Sequence, residues 1–239
     1  MKKINELNVL ITGGTRGIGL ATALLLSKKV NNVFVCGRKK SNSELLDKHK
    51  IEFIKTDLTK ENEIVDLYNT IINKNIKIDV LINNAGFAFF KPFLETDIKE
   101  VRDLFEINFF SVYNCINSFL PDMISNNYGK IININSVVTK KVFPFNTSYS
   151  ATKLALKGLT SSLRQEVRSK GVDIIDVYPG ATETDLWDKN TIDQREGRMM
   201  EIEDVAQGIY SVLELSMNSR LIPEEITLRP KLGDLWLIK

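Results

Sequence analysis

The sequence predicts an α/β fold, a seven-stranded parallel sheet doubly wound by helices in a single domain. Three observations predict it. Short β-branched runs alternate with longer stretches of helical period along the whole chain. A repeated strand–helix–strand order implies parallel strands covered by helices on both faces. No low-complexity linker, Pro/Gly-rich break or internal repeat divides the 239 residues, a length that one α/β domain commonly reaches.

The elements follow in order. Asn8 to Thr12 is the first strand and runs into a glycine-rich turn, after which Gly17 to Lys28 has helical period. Asn32 to Cys36 and Glu52 to Lys55 read as the second and third strands, and Glu61 to Asn73 as the next helix. Asp79 to Ile82 is the fourth strand, and Ile98 to Ile124 reads as one long helix. Lys130 to Ile134 and Asp173 to Val177 are strands on either side of a helix at Ser148 to Ser169. A helix at Glu203 to Leu215 and a strand at Glu225 to Leu228 close the pattern. In such sheets ligands sit beyond the carboxyl ends of the strands, so chemistry belongs to the residues that follow each strand.

Composition removes several function classes. With 43% hydrophobic and 26% charged residues the chain has ample apolar material for a buried core. A formal net charge of +2, with no basic tail or stripe, gives no reason to expect nucleic acid. Met1 to Asn8 is polar and lacks the apolar core of a signal peptide, and no stretch approaches the roughly 18 apolar residues of a membrane span. A cytoplasmic protein without a membrane partner is expected. Cys36 and Cys115 lie among apolar residues and are expected to be buried, reduced thiols. A single histidine, His49, leaves no His/Cys metal cluster and little basis for a His-dependent nucleophile.

Four motifs carry chemistry. The first strand ends in Thr12-Gly13-Gly14-Thr15-Arg16-Gly17-Ile18-Gly19 and enters a helix directly. Glycines at 13, 17 and 19 allow a tight turn and close approach of a pyrophosphate to the backbone, while the helix amino terminus offers free N–H groups to an anion. Alone, such a turn also serves a plain strand-to-helix connection. Asn83-Asn84-Ala85-Gly86 follows the fourth strand, Ser136 follows the fifth, and Tyr149-Ser150-Ala151-Thr152-Lys153 opens a long helix. Tyr149 and Lys153, four apart, share one helix face, so an ammonium stands near a phenol and favours its ionised form.

In this order and spacing the four motifs resemble the short-chain dehydrogenase/reductase family, from about residue 7 to about residue 228. The resemblance implies a Rossmann-type oxidoreductase domain and a role for each matching residue. Tyr149 is then general acid in reduction and general base in oxidation, Lys153 also holds the nicotinamide ribose, and Ser136 binds the substrate oxygen. Asn108 matches the position that supports a water-linked proton relay; as a helix residue it can equally be a packing amide. Asp57, followed by Leu58, matches an adenine contact, although an aspartate after a strand is also a common helix cap. Asn84, beside Ala85 and Gly86, matches the residue that steadies the central strands. Pro179, Gly180, Thr182 and Thr184 resemble the nicotinamide-side loop, with Thr182 where a small apolar residue is common. Relatives are usually dimers or tetramers, so a homodimer or homotetramer is expected.

The cofactor implied is NADP(H). An NAD site of this fold places an acid at the end of the second strand, but this chain reads Val35-Cys36-Gly37-Arg38-Lys39 there. Arg38 and Arg16 can instead meet a 2′-phosphate with charge-assisted hydrogen bonds; isolated arginines are otherwise solvated loop charges.

The substrate-side segments are apolar. Phe87, Phe89 and Phe90 follow the Asn-Asn-Ala-Gly turn, Phe143 and Phe145 precede Tyr149, and Leu186, Trp187, Met199 and Met200 flank a lid expected at about 182–200, with Arg195, Glu196, Gly197 and Arg198 in its polar middle. An apolar ketone or aldehyde fits them best. One rival is a reductase of 3-oxoacyl groups on acyl carrier protein, which needs a basic rim: Arg168 and Lys170 are candidates, yet Ser125 to Tyr128 is neutral. Another is a non-catalytic dinucleotide sensor, against which the retained Ser136, Tyr149 and Lys153 argue. Leu228-Arg229-Pro230 leads to Leu235-Trp236-Leu237-Ile238, an apolar tail that can close over a pocket or pack on the core.

Overall fold

The computed structural model describes residues 2–187, 189–194, 197–218 and 220–235. All seven predicted strands are present: β1 Asn8–Thr12, β2 Asn32–Gly37, β3 Glu52–Lys55, β4 Val80–Asn83, β5 Gly129–Ile134, β6 Val172–Pro179 and β7 Glu225–Leu228. They form one parallel sheet in the order β3-β2-β1-β4-β5-β6-β7. The chain moves outward in one direction from β1 and then in the other from β4. That reversal opens a crevice at the carboxyl ends of β1 and β4.

Alternation along each strand explains the two layers. In β1, Val9 and Ile11 face a core built with Leu26 of α1 (Gly17–Leu26) and Ile209 and Leu213, whereas Leu10 faces the other core. The first core is covered by α1 and by a helix over Ile202–Ser216, the second by α3 (Glu61–Ile72) and two further helices through Ile64, Ile116 and Leu156. Central strands buried on both faces must be apolar at successive residues, as Val9 to Ile11, Val33 to Cys36 and Val80 to Ile82 are.

Two departures from the predicted elements matter. The helix expected over 98–124 is interrupted: α4 (Ile98–Phe105) passes through one π-helical turn, Glu106–Phe110, into α5 (Ser111–Ser125). The widened turn carries Asn108, and apolar periodicity continues across it, so the sequence pattern conceals the break. Two short helices, α2 (Ser43–Lys48) and α7 (Lys189–Asp193), were not expected; neither is long enough to show a period. The remaining helices are α6 (Thr147–Val167) and α8 (Ile202–Ser216), each within two residues of expectation at either end.

Both cysteines are free and buried, and burial pushes the Cys36 thiol up to about 12 and that of Cys115 well above its usual value. Among the described residues no helix is long and apolar enough to cross a membrane.

Candidate active site

The site begins where β1 and β4 end. Thr12 Oγ1 accepts N–H bonds from Asn84 and Ala85, each at 3.0 Å, and Asn84 Nδ2 donates to Thr12 O at 2.9 Å and Gly13 O at 3.2 Å. This stitching holds the glycine turn against the Asn-Asn-Ala-Gly turn. Gly13 has φ +65°, and a Cβ there would lie 2.9 Å from Ala85 Cα. Gly19 is packed more tightly still, since a Cβ on it would lie 2.4 Å from Gly13 O. The glycines therefore answer to close backbone approach as well as to turn conformation. α1 has no side-chain cap at its amino terminus, which leaves first-turn N–H groups available to an anion.

From this crevice a cavity of about 1250 Å³ runs along the carboxyl edge of the sheet. Its wall includes Gly13, Thr15, Arg16, Gly17 and Ile18 from the turn, and Arg38, Asp57 and Leu58 after β2 and β3. Asn84, Ala85 and Gly86 line its middle, and Ser136, Tyr149 and Lys153 lie farther along, opposite Pro179, Gly180, Thr182 and Thr184. Two of the predicted residues stand behind the wall. Gly19 supports the turn, and Asn108 is fully buried, accepting from Phe87 N at 3.1 Å and donating to Phe87 O at 2.9 Å and Thr152 Oγ1 at 3.2 Å. Its amide thus holds the loop after β4 against α6.

The Ser–Tyr–Lys group converges in space. Ser136 leaves β5 and caps the following turn by accepting from Val138 N at 3.3 Å. Lys153 is buried, donates from Nζ to Ile134 O at 2.8 Å, and sits 5.9 Å from the Tyr149 ring centre. Burial pushes the Tyr149 phenol up to about 12, with a hydrogen bond to Ser136 pulling the other way. Burial also brings the Lys153 ammonium down to about 8, against the opposing pull of Asp176. The four-residue spacing of Tyr149 and Lys153 predicts a phenol eased toward ionisation by a nearby charge; desolvation is the larger effect here.

At the far end of the cavity β2 stops at Gly37 and no carboxylate ends the strand. Burial tends to raise Asp57, but hydrogen bonds from Thr59, with Lys60 and Arg38 nearby, hold its carboxyl below the usual value. Asp57 closes a turn onto Thr59 rather than capping α3, whose cap position is Lys60. Arg16 reaches across to the segment after β6 and pairs with Asp185 at 3.0 Å, a contact that nothing in the sequence pattern signals.

The apolar residues divide. Phe87, Phe90, Phe143, Leu186 and Trp187 line the cavity, with Phe90 stacked on Trp187 at 5.1 Å and edge-on to Tyr149 at 6.5 Å. Phe89 and Phe145 are not on its wall, while Met199 and Met200 are buried in the protein, where Met200 N and O bond to Ala181 and Glu183. Residues missed in the sequence include Asn135, Asn146, Val137 and Val138 on the wall, and Thr12 behind it. Leu235 of the carboxyl-terminal segment also lines the cavity; Trp236, Leu237 and Ile238 lie outside the described residues, as do Arg195 and Glu196 from the middle of the expected lid. Arg168 and Lys170 do not border this site: they follow the far end of α6, some 19 residues or roughly 28 Å along the helix from Tyr149.

The short chain dehydrogenase family model matches residues 7–195. The chain is 32% identical over 211 residues to a protein of Haemophilus influenzae named 3-oxoacyl-[acyl-carrier-protein] reductase FabG, spanning 84% of this chain and 87% of that one. It is 29% identical over 220 residues to the "Probable short-chain type dehydrogenase/reductase VdlC" of Helicobacter pylori, spanning 90% and 81%. A solved structure described as ElxO with NADP bound superimposes with a TM-score of 0.84 at 29% identity, over 94% of this chain and 97% of that one. With a parallel seven-stranded sheet, a glycine turn at its switch point and a match over most of its length, the chain belongs to the short-chain dehydrogenase/reductase family of oxidoreductases.

Proposed function

We propose that this protein transfers a hydride between NADP(H) and the carbonyl or alcohol of an apolar ketone or aldehyde. The observation that carries the reading is the convergence of Ser136, Tyr149 and Lys153 on the same cavity as an uncapped glycine-turn helix. When bound, the nicotinamide supplies or accepts the hydride. The protein does the rest. Ser136 holds the substrate oxygen, Tyr149 gives it a proton in reduction or takes one in oxidation, and Lys153 binds the ribose and sustains the positive field beside the phenol. Asn84 and Thr12 keep the two phosphate-side turns in register. The relay role of Asn108 would have to run through the loop it holds, because its side-chain amide is already bonded within the protein.

Cofactor preference follows from charge. Arg38 on the cavity wall and the missing acid after β2 favour a 2′-phosphate, and Arg16 in the turn can join them by leaving its exposed pair with Asp185. The NADP-bound relative supports this reading. An apolar substrate fits the wall of Phe87, Phe90, Phe143, Leu186 and Trp187.

The Haemophilus relative favours a second reading, a 3-oxoacyl group carried on a protein. An acidic carrier needs unpaired cations near the entrance. Four lysines from the substrate-side segments are engaged: Lys91 with Glu100, Lys99 with Asp103, Lys140 with Glu225 and Lys141 with Asp234. A free small molecule is therefore preferred. Oxidation of NADPH followed by absorbance across aldehydes, ketones, quinones and a carrier-bound 3-oxoacyl thioester decides between them. Low KM for the thioester alone overturns the preference, and no turnover of any of them supports the sensor instead.

The same reading extends to a homodimer or homotetramer. Phe110 and Tyr113 near the start of α5 and Leu154 on α6 are exposed apolar side chains, and Leu120, Leu159 and Leu163 line a small hollow with Tyr113. Sedimentation of the purified chain tests it, with a monomer at micromolar concentration as the contrary result.

A further inference from the structure

The inner stripe of α6 continues beyond Tyr149 and Lys153. Residues 153, 160 and 164 return to one face of a helix. Thr160 and Arg164 are buried there, and both end on one carboxylate of the sheet. Thr160 Oγ1 donates to Asp176 Oδ2 at 2.8 Å, and Arg164 Nη2 donates to the same oxygen at 2.8 Å. Arg164 also donates from Nε to Ile174 O at 2.9 Å and from Nη2 to Glu224 O at 3.1 Å. β6 thus grips α6 over two successive turns.

Asp176 is fully buried in β6, in the sheet row that pairs it with Asn133 of β5, whose amide oxygen accepts from Asn83 of β4 at 2.9 Å. Its other oxygen, Oδ1, has no hydrogen-bond partner among the described residues, and neither has Asn133 Nδ2. One row nearer the cavity, Ile134 O receives the Lys153 ammonium. On the same face, Ile174, Ile131 and Leu81 precede this row, so an apolar side chain at 176 would continue an existing core. A buried ion pair is seldom more stabilising than such a replacement. Its charge calls for another reason.

That reason is Lys153. In a low-dielectric interior an aspartate with an open oxygen exerts a long-reaching field, and Asp176 is the group that opposes the depression of the Lys153 ammonium by burial. Arg164 forms an ion pair with one Asp176 oxygen at 2.8 Å and shares its charge, leaving the field of Oδ1; the other neighbouring charges are committed, Lys140 to Glu225 of β7 and Arg168 to Glu224, while Lys157 of α6 lies over the Tyr178 ring. Burial raises Asp176 to about 6, with Glu225 adding to the rise and Thr160 and Arg164 opposing it, so it is ionised at neutral pH. We propose that Asp176 is a positioning residue for Lys153: Thr160 and Arg164 fix one oxygen of its buried carboxylate against α6, and the field of the open oxygen, one sheet row from the carbonyl that holds the ammonium, helps keep that ammonium charged. The proposal rests on the reading of Tyr149 and Lys153 as the acid–base pair.

The test reads Lys153 directly and requires no substrate. Lysines labelled with ¹³C at Cε are titrated by NMR, the Lys153 signal being the one lost in Lys153→Met. The wild type is expected to titrate near 8. Asp176→Asn, which leaves Arg164 positive, should lower that midpoint by about one pH unit or more. The double variant Asp176→Asn with Arg164→Gln removes both charges and should lower it by less; it also carries the measurement if the single variant loses its cooperative melt. An unchanged Lys153 midpoint in the folded variants makes Asp176 a structural residue and overturns the proposal. Full turnover by Tyr149→Phe would overturn the catalytic reading instead, and the titration stands apart from that result.

Discussion

Burial pushes the Tyr149 phenol up to about 12 and the Lys153 ammonium down to about 8, so the lysine is the member of the pair brought nearer to neutral pH. The sign follows from the charge. Below about 8 Lys153 is an ammonium and supports the phenol; as pH rises through that value its field is lost. Reductive kcat/KM, which reports the free enzyme, should therefore fall on the alkaline side with a midpoint near 8, and a profile flat to pH 10 would contradict the assignment. Tyr149→Phe keeps the ring but removes the transferable proton, and should cost about 10²- to 10⁴-fold in kcat with little change in NADPH affinity. Arg38→Asp should act on affinity alone. Lost attraction and added repulsion weaken NADPH while NADH gains somewhat, and dissociation constants for both cofactors measure it. A wild type that binds NADH as tightly as NADPH rejects the cofactor assignment.

At the scale of elements the glycine turn and the lid make separate predictions. Gly19→Ala would place a methyl 2.4 Å from Gly13 O and 2.5 Å from Asn84 Nδ2, so the turn and its neighbour must move apart. Both dinucleotides should lose affinity together. That pattern differs from the selective effect of Arg38→Asp, and fluorescence titration with NADPH and NADH distinguishes them. Residues 185–187 of the expected lid meet the rest of the site through an exposed ion pair, Arg16 with Asp185, and a half-buried ring contact, Trp187 against Phe90. An exposed ion pair contributes about 0–1 kcal/mol, and an aromatic pair about 0.5–1.5 kcal/mol, so the segment can open readily. Residues 182–200 are predicted to be cleaved by protease in the free protein and protected by NADPH with substrate, as active-site loops commonly are. Equal resistance in both states would count against a lid.

At the scale of the whole molecule, cofactor binding and folding are linked because the cavity draws on loops from β1 to β6. The unfolded chain has no such site. NADPH at a hundred times its Kd should stabilise the fold by about 2.7 kcal/mol, raising Tm by roughly 5–10 °C for a chain of this size. NADH at the same concentration should raise it less. Equal shifts would remove the basis for a 2′-phosphate site.

Some of this was legible before folding because local chemistry is written locally. Strand and helix alternation fixes a doubly wound sheet, since runs buried on both faces must be apolar and the crossovers are long enough for helices. The glycine turn, Asn84 to Gly86 and Ser136 follow strand ends in the sequence, and Tyr149 with Lys153 opens the next long helix, so each is marked by local chemistry alone. What the tertiary structure alone decided depends on residues distant in sequence. The π-helical turn at Asn108 is hidden because apolar spacing continues through it, and the amide finds its partners at Phe87 and Thr152. Arg16 meets Asp185 across 169 positions, and Leu235 reaches the cavity from the last described turn. Arg168 and Lys170 read as near the site in sequence but lie a helix length away. Asp176 shows the same limit: nothing in Asp-Ile-Ile-Asp-Val marks which aspartate is buried, because burial is set by the helix that packs over the strand and not by the strand itself.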